Sequence, residues 1–123
     1  MSGPSPLVAD PGSLQALQQA VEEGRTDPVR LLEKSLARIE AAEQQVQSFC
    51  WIGREGAIRQ AQQLKSEAAG GEMRGPLHGI PVAIKDVIDV AGLPTKAGSP
   101  TRANVAPAAI DASLVSRLRA AGA

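Results

Sequence analysis

A short apolar run that ends on a lysine constrains this chain more than any other stretch of it. The run lies within residues 75–86, GPLHGIPVAIKD, and follows a turn rich in Gly and Pro. It is too short for a typical helix, and Val82 and Ile84 favour a buried strand. Because an ammonium group is costly to bury unless it is paired or neutral, Lys85 is either a strand-end cation that reaches water or a base held neutral for chemistry.

Periodicity and helix-start residues predict an α/β protein. The predicted elements, in chain order, are a helix from the cap Ser13 to about residue 23, a helix begun by Asp27-Pro28 to about residue 46, a strand at 48–52, a helix over about 54–69, a strand at 81–84 and a last helix capped by Asp111. Alternating helices and strands are typical of α/β proteins. Two short strands cannot form a sheet that covers four helices, so we expect the chain to stop before most of its sheet.

Composition excludes several classes of function. The formal net charge is zero, so charge does not indicate a nucleic-acid or membrane surface. The single cysteine, Cys50, rules out an internal disulfide and a cysteine-built metal site. We find no secretory signal, no membrane span and no glycine loop that would hold a nucleotide phosphate. We therefore expect a cytoplasmic protein with no cofactor, no metal, no membrane and no nucleic acid among its partners.

The stretch over residues 75–100, GPLHGIPVAIKDVIDVAGLPTKAGSP, closely resembles the N-terminal part of the amidase signature family. The similarity extends more loosely over residues 13–123. LLEKSLARI at 31–39 is similar to an early helix of the family, and DASLVSRLRAAGA at 111–123 is similar to the helix before its next buried strand. An ordered match of this length is far more specific than a single short motif.

The resemblance implies an α/β fold, namely the N-terminal part of a mixed-sheet α/β/α amidase-signature fold, truncated before most of the sheet. We expect residues 1–11 to form a flexible N-terminal arm and residues 12–123 to be an incomplete amidase domain. The family hydrolyses a carboxamide, or transfers its acyl group, with a Ser–cis-Ser–Lys triad. The resemblance places Lys85 at the catalytic lysine and both serines beyond residue 123. Ser99 has no nucleophile role in that pattern, so we expect the isolated chain to be inactive.

The other polar residues near Lys85 have structural interpretations. From the residues alone, the simplest interpretation of Lys85 itself is a surface cation paired with Asp86 or Asp89; the resemblance favours the base instead. We expect Asp86 to be structural and Asp89 to form loop hydrogen bonds. His78, the only histidine, is expected to pack the turn. The remaining expectations are backbone roles for Gly75, Gly79, Gly92 and Gly98, a small core side chain for Cys50, and a solvated helix face for Arg117 and Arg119.

Three functional hypotheses follow from this sequence. The leading one is an amidase that hydrolyses a small-molecule carboxamide, with Lys85 as the general base. The second is the glutaminase component of a tRNA-dependent amidotransferase, its A subunit, ranked lower because the loop over residues 93–99 and Asp86-Val87 look more like general amidases. The third is a non-catalytic remnant or interaction module. The sequence does not indicate the oligomeric state or the natural amide.

Overall fold

The computed structural model describes residues 12–123, which form four α-helices, with the longest connection, residues 70–112, between the third and the fourth. The helices are α1 Leu14–Glu22, α2 Pro28–Val46, α3 Arg54–Ala69 and α4 Ser113–Ala120, and a 3-10 turn covers Pro100–Arg102. None of the described residues belongs to a strand. The expected arm over residues 1–11 lies outside the part of the chain that the structure describes.

Local side-chain chemistry starts the first two helices as the sequence predicts. The Ser13 hydroxyl accepts a hydrogen bond from the Ala16 N–H at 3.1 Å, and the Asp27 carboxylate accepts one from the Arg30 N–H at 3.0 Å. Each cap satisfies an amide that the first helical turn leaves without a partner. Pro28 follows Asp27 at the start of α2, where its missing N–H costs nothing.

The prediction that Asp111 caps the last helix is wrong. Helix α4 begins after Ala112, and no side chain caps it. The Asp111 carboxylate instead accepts hydrogen bonds from the Ala91 N–H at 2.7 Å and from the Arg119 Nε at 2.8 Å. A carboxylate that already serves a distant loop amide is not free to cap its own helix.

Two small apolar clusters hold the helices together. Leu32 and Leu36 of α2 pack with Ala61 of α3. The second cluster joins α1, α2 and the segment before Lys85, through Val21, Leu31 and Ile80. Burial of apolar side chains is the main favourable contribution here, at about 25 cal/mol for each Å² removed from water. The second cluster thus fixes the start of the apolar run.

The turn before the apolar run is wedged between α2 and the end of α4. Gly79 has a φ of +73°, and a Cβ there would lie 2.3 Å from the Pro28 Cγ, so only glycine fits. The Leu77 N–H donates to the Ala121 carbonyl at 2.9 Å, and the Gly79 N–H donates to the Gly122 carbonyl at 2.8 Å. The turn is therefore fixed on both sides.

The two strands that the sequence predicts are not strands in this chain. The Ser48 and Phe49 amides donate to the Glu43 carboxylate, at 2.6 Å and 3.0 Å, instead of to a neighbouring strand. Ile80 is buried, but Val82 is 47% exposed. A strand exists only through backbone hydrogen bonds to a neighbouring strand, and within residues 12–123 no backbone group forms such a bond with either segment. The β-forming residues are present without their pairing partner.

Candidate active site around Lys85

Lys85 lies on the surface, directly after the apolar run. Its side chain is exposed, so the burial expected for a neutral base is absent in this chain. Its carbonyl accepts hydrogen bonds from the Val87 N–H at 2.8 Å and the Ile88 N–H at 3.1 Å. These two bonds close a tight turn, which ends the apolar run at the lysine and redirects the chain.

The two aspartates nearest Lys85 in sequence hold the following loop. The Asp86 Oδ1 accepts from the Lys96 N–H at 3.1 Å, and the Asp89 Oδ1 accepts from the Thr95 hydroxyl at 2.6 Å. Asp89 is thus a loop hydrogen-bonding group, as expected, and Asp86 makes a structural contact with the same loop. Within residues 12–123, no carboxylate forms an ion pair with Lys85, so the surface-pair interpretation is wrong.

A second pair of contacts closes the base of this loop. The Gly92 N–H donates to the Ala108 carbonyl at 2.9 Å, and the Ala108 N–H donates to the Leu93 carbonyl at 3.0 Å.

The carboxylate of Asp111 is held in its charged form by two neighbours. The hydrogen bond from the Ala91 N–H and, to a smaller extent, the Arg119 guanidinium hold the pKa of Asp111 below its ordinary 3.8, although partial burial acts to raise it. Arg119 lies on an exposed helix face, as expected, and its ion pair with Asp111 also anchors the loop.

His78 serves structure, as expected, and both of its ring nitrogens are used. The side chain is 1% exposed. Its Nδ1 accepts from the Arg74 N–H at 3.0 Å, and its Nε2 lies 2.8 Å from the Leu64 carbonyl oxygen. Since a carbonyl only accepts, the Nε2 carries the proton and the ring is neutral. His78 therefore ties the turn to α3.

Other candidate groups show no chemistry of their own. Cys50 is exposed, so the expectation of a small core side chain is wrong. The Ser99 hydroxyl lies 2.8 Å from the Thr101 hydroxyl, and a threonine hydroxyl is not a base that could activate it. Among the described residues, no group of three or more His, Cys, Asp and Glu side chains could hold a metal ion. None of the helices within residues 12–123 combines the length and the apolar character of a membrane span.

The anchoring contacts around the site were the part that sequence reasoning missed. The clearest is the ion pair between Arg74 and Glu67, whose closest nitrogen–oxygen distance is 2.7 Å. It joins α3 to the segment before the turn. The only signal in the sequence is opposite charge at a spacing of seven residues, which is common by chance and does not predict a contact.

A family model described as Amidase matches residues 30–123. The chain belongs to the amidase family. Its curated relatives include the A subunit of glutamyl-tRNA(Gln) amidotransferase from Salinispora tropica, 41% identical over 110 residues, which covers 89% of this chain and 22% of the relative. The relative of the same name from Streptomyces coelicolor is 39% identical over 101 residues, or 82% of this chain and 20% of the relative.

Solved structures give the same family and fold. An amidase crystal structure is 39% identical with a TM-score of 0.81, and covers 91% of this chain and 25% of that structure. The peptide amidase from Stenotrophomonas maltophilia is 34% identical with a TM-score of 0.80, covering 91% and 23%. The amidase-signature α/β fold class is confirmed. This amidase-family chain spans a fifth to a quarter of the proteins it matches.

The expectation that no nucleic acid belongs among the partners is wrong. It was drawn from a net charge of zero. The curated relatives carry a tRNA in their name, at up to 42% identity in Roseiflexus sp.. A net charge of zero does not exclude a nucleic-acid partner, because net charge averages over the whole surface.

Proposed function

We propose that this chain contributes the lysine-bearing part of an amidase domain, in a protein of the same type as the A subunit of glutamyl-tRNA(Gln) amidotransferase. The observation that carries the proposal is the agreement among the curated relatives. Those from Salinispora, Streptomyces, Roseiflexus and Chloroflexus share this name at 38–42% identity across most of the chain. In such a protein the proposed reaction of this domain is hydrolysis of an amide donor, in which water supplies the oxygen of the carboxylate product and ammonia is released.

The proposed role of Lys85 is proton transfer. An amide resists attack, so the attacking serine must lose its hydroxyl proton and the leaving nitrogen must gain one. A neutral lysine Nζ can accept that proton through a bridging serine hydroxyl and return it to the leaving nitrogen. Lys85 is exposed here, so the desolvation that favours its neutral form must come from protein outside residues 12–123.

A chimera tests the proposal. The aligned segment of the Streptomyces coelicolor relative is replaced by the matching residues of this chain, and the product is assembled with the relative's partner subunits. Glutamine-dependent ammonia release is then measured. We expect the chimera to be active and Lys85→Ala to lose about 100–10,000-fold in kcat, because removal of a catalytic base costs about 10²–10⁴-fold.

Lys96 offers a matched control in the same loop. It is an exposed lysine whose backbone, not its ammonium group, makes the loop contact. Lys96→Ala should therefore keep the rate of the unmodified chimera. Equal activity of the Lys85→Ala chimera and its parent would refute the role of Lys85, and an inactive but folded parent would refute the function.

A stand-alone amidase is the second candidate. The observation that favours it is the 39% identity to the solved amidase, which equals that to several amidotransferase relatives. The two functions differ in their dependence on partners. Ammonia release by the chimera without partner subunits, unchanged when they are added, would favour the stand-alone enzyme.

A further inference from the structure

We propose that Asp86 is a positioning residue of this site, an inference that rests on the proposed function. Asp86 follows Lys85 directly and fixes the turn over residues 95–98. Its side chain is half-buried, whereas that of Lys85 is exposed. Asp86 thus sets where the turn over residues 95–98 lies relative to Lys85.

Two hydrogen bonds, which we call the Asp86 clamp, make this connection. The Lys96 N–H donates to the Asp86 Oδ1 at 3.1 Å, and the Ala97 N–H donates to the Asp86 carbonyl at 2.8 Å. Both donors are successive amides of one turn, and both acceptors belong to one residue. The turn cannot rotate about the clamp without breaking one of the two bonds.

The backbone beyond the clamp is held in a demanding conformation. Ala97 has a φ of +52° and Gly98 a φ of +65°, so two successive residues lie in the left-handed region. An alanine adopts that region only where its surroundings impose it. On the other side of the turn, the Arg102 Nε donates to the Thr95 carbonyl at 2.8 Å. The clamp and this arginine together hold the turn in one shape.

This arrangement couples the turn to Lys85. The Lys85 carbonyl is held in its own tight turn by the Val87 and Ile88 amides, so the peptide that joins Lys85 to Asp86 is fixed. A displacement of the turn at 95–98 is therefore a displacement relative to the base. Catalytic rates are sensitive to such shifts, since a misplacement of about 1 Å can cost about 100-fold.

Asp89 is the matched comparison within the same loop. Its carboxylate also binds the loop, through the Thr95 hydroxyl at 2.6 Å, but it lies three residues further from Lys85. If Asp86 mattered only for the stability of the loop, removal of either carboxylate would have similar consequences. If Asp86 positions the turn against the base, the two removals differ.

The test measures steady-state kinetics and amide hydrogen exchange in the chimera described above. We expect Asp86→Ala to lower kcat/KM by about 10–100-fold, whereas Asp86→Asn, which keeps the Oδ1 acceptor, and Asp89→Ala should stay within about threefold of the parent. The Lys96 amide should exchange faster in Asp86→Ala and at the parent rate in Asp86→Asn.

Asp86→Glu is the alternative test if Asp86→Ala does not fold, because it keeps the charge but displaces the oxygen by one methylene. Glu should then lower the rate as Ala would.

Each other outcome overturns the proposal. An Asp86→Ala or Asp86→Glu protein with the parent's kcat/KM would do so, as would an equal loss in Asp89→Ala or no recovery in Asp86→Asn. The exchange of the Lys96 amide does not depend on turnover. If the parent chimera is inactive but its Lys96 amide exchanges slowly, the proposed function is wrong and the clamp is not. If the parent is active but its Lys96 amide exchanges fast, the clamp is wrong and the proposed function is not.

Discussion

At the scale of the residue, His78 shows how one side chain can hold two segments together. It is buried and satisfies the Arg74 N–H and the Leu64 carbonyl at the same time. We expect His78→Leu to lower the free energy of unfolding by about 1–3 kcal/mol, because the Arg74 N–H loses its acceptor and a buried group left without a partner costs about that much, whereas the Leu64 carbonyl lies within α3. Urea unfolding followed by circular dichroism measures this loss.

The control for His78 is Met73→Leu, a change of similar size at an exposed position of the same segment. It should leave the unfolding midpoint unchanged. A His78→Leu chain as stable as the parent would show that the Arg74 N–H finds another acceptor. The histidine was predictable as a turn-packing residue because a lone imidazole in a Gly- and Pro-rich turn more often packs that turn than takes part in catalysis. Its partner Leu64, fourteen residues away, was not predictable.

At the scale of the element, the attachment of α4 depends on the ionisation of Asp111. The pKa of Asp111 lies below its ordinary 3.8, mainly because its carboxylate accepts a hydrogen bond from the Ala91 N–H and to a smaller extent because of Arg119. A carboxylate with a lowered pKa stabilises the fold above its unfolded pKa, and this contribution disappears as the pH falls through the folded pKa. We expect the stability difference between the parent and Asp111→Asn to be constant above about pH 5 and to shrink below about pH 4. Urea titrations at a series of pH values measure it.

Arg119→Gln should raise the pH at which the stabilisation by Asp111 is lost, towards the ordinary pKa of an aspartate. Arg117→Gln, at an exposed cation two residues away, should leave that pH unchanged. If neither change moved this pH, the anchoring role of Asp111 would be contradicted.

Helix starts such as Ser13 and Asp27 were predictable because their caps act on amides three residues away. The role of Asp111 was not, because its amide partner is twenty residues distant.

At the scale of the whole molecule, apolar side chains that the sequence assigns to strands remain in water. Trp51 is 60% exposed, and Val82 is 47% exposed. The sequence predicts β-structure here because the side chains suit a pleated, half-buried surface. It cannot predict the partner, since strand pairing depends on a neighbour, and no described residue pairs with these segments. The fold class was therefore accessible from pattern and resemblance, whereas the pairing was not.

The unpaired segments lead to a prediction about hydrogen exchange. The amides of residues 50–52 and 82–84 have no hydrogen-bond partner within the part of the chain that the structure describes. We expect them to exchange in this chain at nearly the rate of an unfolded peptide, while amides in the middle of α2 and α3 exchange slowly, because exchange follows local opening. In the chimera, where a larger domain can supply neighbouring strands, the same amides should become protected. Slow exchange at residues 50–52 and 82–84 in the isolated chain would show that they pair without a larger domain, for example between two copies, and a dependence on protein concentration would identify that pairing.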